Sequence, residues 1–416
     1  MSRDARPHNK SWAHANWEPL YFRAGNRQGQ LQSFPRSSPD GRSYHLSLGM
    51  PFLLVAPFLF SVFVGAEERH YLYAAVPGVQ NHYPENNYNL RYGGIGILVF
   101  DMDHGYPFVK RIPTWKLDPG QKVEIVKGIA ADAENARLYV TTPTALAAFD
   151  LTTEKLIWQK NYEGGFDRLA LSPDGKTLYA PSFEGAYWLV IRASSGDLIT
   201  RLDTGTGSHN TIWSADGSRV YLAGLHNNYL LVADPSTNKV IQKVGPFSDN
   251  VRPFTVNGSN SLCYVNVNNL LGFEIGDVKT GKKLYSVAVT GFASGRAARH
   301  NPCPSHGIGL TPDEKELWLV DGVNNYAHVF DAQVMPPKQI ADIKLSDSPG
   351  WVSFSIDARY VFPSTGDVIE RKTRKIVYIL HDETGAQVES EKVVEIDFDD
   401  GRPRRAGNQF GVGQKP

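Results

Sequence analysis

Leu171-Ser-Pro-Asp-Gly-Lys-Thr-Leu-Tyr-Ala180 reads as a strand, a tight turn at Pro173-Asp174-Gly175, and a second strand centred on Tyr179. The phrase returns as Trp213-Ser-Ala-Asp-Gly-Ser-Arg-Val-Tyr221 and as Leu310-Thr-Pro-Asp-Glu-Lys-Glu-Leu-Trp318. Degenerate copies run over Ala131–Tyr139, Val256–Tyr264 and Ser355–Phe362. The aromatic after each turn serves as an anchor, and the anchors Tyr139, Tyr179, Tyr221, Tyr264, Trp318 and Phe362 are spaced 40, 42, 43, 54 and 44 residues apart. Four short strand-like runs fall in each period, which is the pattern of a propeller blade. Tyr73, in His70-Tyr-Leu-Tyr-Ala-Ala-Val76, supplies a seventh anchor. The expected fold is therefore all-β, a seven-bladed β-propeller.

One unit shows the four strands. Asn210–Trp213 is the inner strand, Arg219–Ala223 follows the Asp-Gly turn, Tyr229–Ala233 is third, and Lys239–Val244 is outermost. The first unit lacks an inner strand. Lys392-Val-Val-Glu-Ile-Asp-Phe398 is the unused strand, and its addition to the first blade would close the ring and remove the open sheet edges. The propeller is thus assigned to residues 68–400, with a C-terminal tail over 401–416.

The repeated phrase resembles the YVTN-type β-propeller repeat, in which a Ser-Pro-Asp-Gly-Lys-x-Leu-Tyr-Val phrase marks each blade. The resemblance covers roughly residues 68–400. It implies a seven-bladed ring similar to the quinoprotein amine dehydrogenase and nitrous oxide reductase-like propellers, and it implies export. The wider group includes lactonases, a lyase and quinoprotein or copper oxidoreductase subunits. None of their catalytic motifs transfers onto this sequence residue by residue.

The 416 residues are 41% hydrophobic and carry 43 basic against 43 acidic side chains, enough for one large packed domain and without a phosphate-tracking surface. No nucleic-acid partner is expected. Residues 1–47 are polar and irregular and are expected to be disordered or non-native. The apolar stretch Leu48–Val64, within residues 48–66, is broken by Pro51 and Pro57 and ends in small residues before Glu67-Glu68. It reads as a cleaved export signal, placing the protein in the periplasm or outside the cell. A membrane anchor is the second reading. Cys263 and Cys303 are the only cysteines, suited either to one disulfide or to two buried thiols. A closed ring needs no partner for stability, so a monomer is expected.

Twelve residues back from each anchor, at the start of each inner strand, stand Lys127, Asp167, His209, Arg252, His306 and Gly350. Small or apolar residues would be usual in a buried ring of strands, yet five of these six are charged or imidazole. His209, Arg252 and His306 are the catalytic candidates, with arginine as carboxylate or oxyanion holder and histidine as acid or base. Lys127 and Asp167 join them as ligand-binding candidates. Strand direction alternates, so the loops between second and third strands share this face. They add His226, Asn227, Asn269, Asp321 and Asn325, and Trp351 could stack on a ligand. Both long insertions fall on the same side. Pro77–Gly93 brings His82 and Tyr83, and Gly291–Ser305 brings His300 and Cys303. Long loops on a rigid scaffold are where function concentrates. His300, Cys303 and His306 form a weak metal candidate whose spacing matches no known ligand motif. There is no Gly-x-Ser-x-Gly elbow, phosphate loop or dinucleotide fingerprint, and no cofactor is indicated.

Two function classes follow. The first is a binding module holding a small polar ligand, a glycan or a partner protein at one channel mouth. The second is an enzyme, whether lyase, lactonase or copper- or quinone-linked oxidoreductase, using the His/Arg set at the same mouth.

Overall fold

The computed structural model describes residues 67–77, 95–114, 124–183 and 185–414. The assignments for residues 1–47 and 48–66, and those for His82 and Tyr83, lie outside the described residues. Among the described residues every regular element is a strand, gathered into seven antiparallel sheets that form the seven blades of a β-propeller. Blade 4 has strands Ser208–Trp213, Val220–Gly224, Leu230–Asp234 and Lys239–Val244, hydrogen-bonded in that order.

Closure is made by Val393–Asp399, which pairs antiparallel with Glu68–Val76 and sets Leu72 opposite Glu395 and His70 opposite Asp397. Middle strands are buried along nearly their whole length, as in Tyr187–Arg192, because the flanking blades cover both faces. Outermost strands alternate exposed and half-buried residues, as in Lys239–Val244, because only one face is covered.

All seven anchors are at most 3% exposed. Each belongs to a different apolar cluster, and each cluster fills one gap between adjacent blades. The aromatic ring is the wedge that sets blade against blade, which is why it recurs. Gly175 and Gly217 sit in the first-to-second-strand turns at φ 69°. Where the repeat lacks glycine there, Asn260, Glu314 and Ala358 still adopt φ of 56°, 55° and 60°. The hairpin geometry therefore overrides a local cost of roughly 1–2 kcal/mol.

The tail is more than a terminus. Arg402–Ala406 forms a fifth strand on the inner side of Val393–Asp399. The chain then crosses the channel. The Gln409 side chain accepts from Ile129 N at 3.2 Å and donates to Leu169 O at 2.8 Å, so it ties blades 2 and 3. The Gly411 carbonyl accepts from Leu310 N at 3.0 Å in blade 6 and from Thr255 Oγ1 in blade 5. Phe410 and Val412 are 4% and 8% exposed and pack in the cluster between blades 4 and 5. The tail thus runs across the ring, bonded to blades 2, 3, 5 and 6.

Candidate functional site

The loops entering the inner strands carry side chains around one mouth of the channel. Lys127, His209, Arg252 and His306 line a cavity of about 460 Å³ there, together with Arg168, His300, Glu391 and Lys392. Asp167 lies just behind. His209 Nδ1 is 2.5 Å from Asp167 Oδ2, and Lys127 Nζ is 3.3 Å from Asp167 Oδ1. Gly350 contributes its carbonyl, which accepts from His306 Nδ1 at 2.9 Å. A Cβ at Gly350 would collide with His300 Nε2 and Glu391 Oε1, so a side chain at this seventh-blade position would disrupt the cluster.

Glu391, 4% exposed, is the hub of the mouth. It is bound by Arg168 Nη2, by Lys392 Nζ at 2.8 Å and by His300 Nε2 at 2.5 Å. Arg168 is 1% exposed, and its guanidinium lies flat on Trp351, Cζ 3.7 Å from the ring centroid. Trp351 is itself held from below, its Nε1 donating to Gln409 O at 2.7 Å. The tail therefore supports the site through Trp351 and Arg168.

Charge is unevenly distributed. Lys127, Arg168, Arg252 and Lys392 face two carboxylates, Asp167 and Glu391, while Arg299 is balanced by Glu389 at 2.6 Å. Among the described residues no carboxylate lies within ion-pair distance of Arg252, and its Nε has no hydrogen-bond partner. The Nε2 atoms of His209 and His306 are also buried without partners. In both rings Nδ1 is engaged, by a carboxylate and by a carbonyl, so the proton sits on Nδ1 and Nε2 carries the lone pair.

Burial works to raise the Asp167 carboxyl, yet Lys127 and His209 hold it well below the usual carboxylate range. Burial likewise opposes ionisation of Glu391, and Lys392, His300 and Arg168 overcome it. Burial lowers His209 against the pull of Asp167, and it lowers His306 with His300 and Arg252 adding repulsion. Burial brings His300 down to about 4 although Glu391 favours its charged form. The three imidazoles are neutral at pH 7.

The ligand-binding candidates from the second-to-third-strand loops do not line this cavity. Asp321 is fully buried and holds its own turn, accepting from Val323 N, Asn324 N and Asn324 Nδ2. Asn325 and Asn269 are turn residues at φ 61° and 62°, and Asn269 Nδ2 donates to Asp249. Asn227 Oδ1 accepts from Tyr229 N, and His226 is exposed beside Gly207. Trp351 is 2% exposed and forms the wall behind Arg168. These loops are polar because their turns need side-chain acceptors.

The His300, Cys303 and His306 grouping does not form. Cys303 is buried and free, as is Cys263, and its Sγ faces Val267 O at 3.7 Å, with burial pushing the thiol up to about 12. Glu391 lies close to the two histidines instead. Even this trio suits an ion poorly. The two rings stack 3.7 Å apart at 8°, so one ion at about 2.0–2.1 Å could not lie in both ring planes. The Glu391 oxygens are already taken by a histidine and two cations.

Sequence reasoning overlooked Arg168, Glu391 and Lys392. For the last two the signal was available, since they immediately precede the closing strand as Lys127 precedes the inner strand of blade 2. A scan against family models finds no match, and no curated protein matches the chain.

Proposed function

We propose that this propeller is a binding module whose mouth holds a small anionic ligand bearing hydroxyl groups, of which a sugar acid is the simplest example. The observation that carries the reading is Arg252, a cavity-lining guanidinium that has no ion-pair partner among the described residues, in a mouth that already holds excess positive charge. A carboxylate or phosphate oxyanion supplies the missing counter-charge. Hydroxyl hydrogens suit the lone pairs of His209 Nε2 and His306 Nε2. A cavity of about 460 Å³ fits a small molecule rather than a protein surface.

Calorimetric titration with glucuronate, and with glucose as the neutral control, tests this. Glucuronate should bind and glucose should not. Arg252→Met should weaken glucuronate by about 10- to 100-fold, the worth of one charge-assisted hydrogen bond. Equal affinity for the two sugars would overturn the reading.

The pH dependence follows from Lys392. Burial brings its ammonium down to about 7 against the pull of Glu391, with Arg168 and Lys127 adding repulsion. An arriving anion favours the charged form, so binding takes up a proton. Affinity should fall as pH rises above about 7, by up to about tenfold per unit. Stability of the free protein runs the other way. An unfolded chain keeps this proton to about 10.4, so between the two values it binds more protons than the folded state, and the Lys392 contribution to stability rises with pH. Titration calorimetry in buffers of different ionisation enthalpy measures the proton uptake directly.

A second reading has one specific observation behind it. His209 and His306 lie 6.2 Å apart, each with a basic Nε2, and Asp167 stands behind His209. A carboxylate held by Arg252 would acidify its neighbouring C–H, and His209 would take that proton. Incorporation of deuterium at that carbon of glucuronate in D2O, followed by NMR, would favour the enzyme over the binding module.

A further inference from the structure

The opposite face of the ring holds a second cavity, of about 530 Å³, between blades 1 and 7. It opens among the turns at Asp101–Tyr106 and Ile356–Arg359, the first joining third and fourth strands and the second joining first and second. Its chemistry is the reverse of the mouth. Tyr106, Tyr360 and Tyr378 supply aromatic walls, with Tyr106 and Tyr360 edge to face at 5.6 Å and Tyr106 and Tyr378 stacked at 6.2 Å. Asp103, Asp357 and Glu370 stand around them, and Glu395, 4% exposed, is the buried acid of the set.

The acids are only partly matched. Asp103 pairs with His70 at 2.7 Å, and Glu370 lies 3.7 Å from Arg359. Among the described residues no cationic side chain lies within ion-pair distance of Asp357. Glu395 likewise has none; its Oε2 accepts from Ile356 N at 2.6 Å, and its carboxyl shares a hydrogen bond with Asp397. Burial pushes the Glu395 carboxyl up, and Asp397 two residues along adds to the effect. A second observation is independent of the acids. Tyr106 is only 2% exposed, lines the cavity, and its hydroxyl has no hydrogen-bond partner among the described residues. Its Oη can accept from a donor that enters. A third shows that the walls tolerate positive charge, because Arg359 Cζ lies 4.9 Å from the Tyr360 ring centroid.

We propose that this cavity, where buried Glu395 and the unpartnered Tyr106 hydroxyl meet three tyrosine rings, binds an alkylammonium group. An arriving ammonium favours the ionised form, so Glu395, raised to about 8 in the free protein, gives its proton to solvent. The ammonium then donates to the carboxylate and to the phenol oxygen, and its methylene chain packs along the rings. Tyrosine faces offer no ligands to a hard divalent ion, whereas they suit an organic cation. A free amine and a lysine side chain present the same chemistry. The proposal is independent of the mouth.

The test is titration of the full chain with n-butylammonium, with 1-butanol as the neutral isostere, and with Nα-acetyl-lysine N-methylamide. Butylammonium should saturate a single site at low-millimolar concentration, and butanol should be at least about 10-fold weaker. Glu395→Gln keeps an acceptor for Ile356 N and should weaken butylammonium by about 10-fold or more. Tyr106→Phe removes only an unpartnered hydroxyl, so it should fold as the parent does while losing part of the affinity. Tighter binding of the lysine derivative assigns the site to a protein or peptide lysine, and tighter binding of butylammonium assigns it to a free amine. Butylammonium no tighter than butanol, or parental affinity in both variants, overturns the proposal.

Discussion

Ending the chain after Gly401 should cost at least about 5 kcal/mol of stability. The deletion removes the strand Arg402–Ala406 and the buried side chains of Phe410 and Val412, each worth roughly 1.5–3 kcal/mol of apolar burial. It also leaves Trp351 Nε1 and the backbone groups of Ile129, Leu169, Leu310 and Val256 without the partners supplied by residues 409–413. Each unsatisfied buried group adds about 1–3 kcal/mol unless water reaches it. The loss is comparable to the whole stability of an ordinary domain, about 5–15 kcal/mol. Urea unfolding of the shortened and full chains measures it. The shortened chain should also lose affinity at the mouth, because Trp351 no longer holds Arg168 flat. A midpoint equal to that of the full chain would show that the tail is a passenger.

Arg168→Met should destabilise by about 3–5 kcal/mol, because Glu391 then stays buried with part of its counter-charge gone. Two partners remain, Lys392 and His300, so the lower end of that range is expected. The double variant Arg168→Met with Glu391→Gln should recover most of the lost stability, since the unmatched charge leaves with its partner. It should not recover anion binding, because the mouth has lost a cation that methionine cannot replace. This split separates a structural ion pair from a binding one. Recovery of both stability and affinity would show that Arg168 serves the fold alone.

The ring of blades was legible because a hairpin and its anchor are local. Asp216-Gly217 needs only its own backbone to turn, and Tyr221 follows four residues later, so the phrase survives in sequence wherever the blade survives in space. The mouth positions were legible for the same reason. Lys127, Asp167, His209, Arg252 and His306 hold one place in the repeat, and repetition carries them to one rim. The loop candidates sit outside this cavity for a reason of chemistry rather than register. Asp321 and Asn269 look like ligand holders because turns and ligands both call for side-chain oxygens and amides, and here the turns take them.

The amino-acid order alone determined the number of blades and the rim that gathers charge, since both depend on periodicity and on contacts within a few residues; it also singled out the closing strand, because Lys392–Phe398 is the one strand the repeat leaves over while the first blade lacks an inner strand. Only the tertiary structure decided what the charges do. Arg168 meets Glu391 across 223 residues, and Gln409 reaches Leu169 across 240. No spacing rule encodes such pairs, because they are created by the ring bringing its two ends together around one axis.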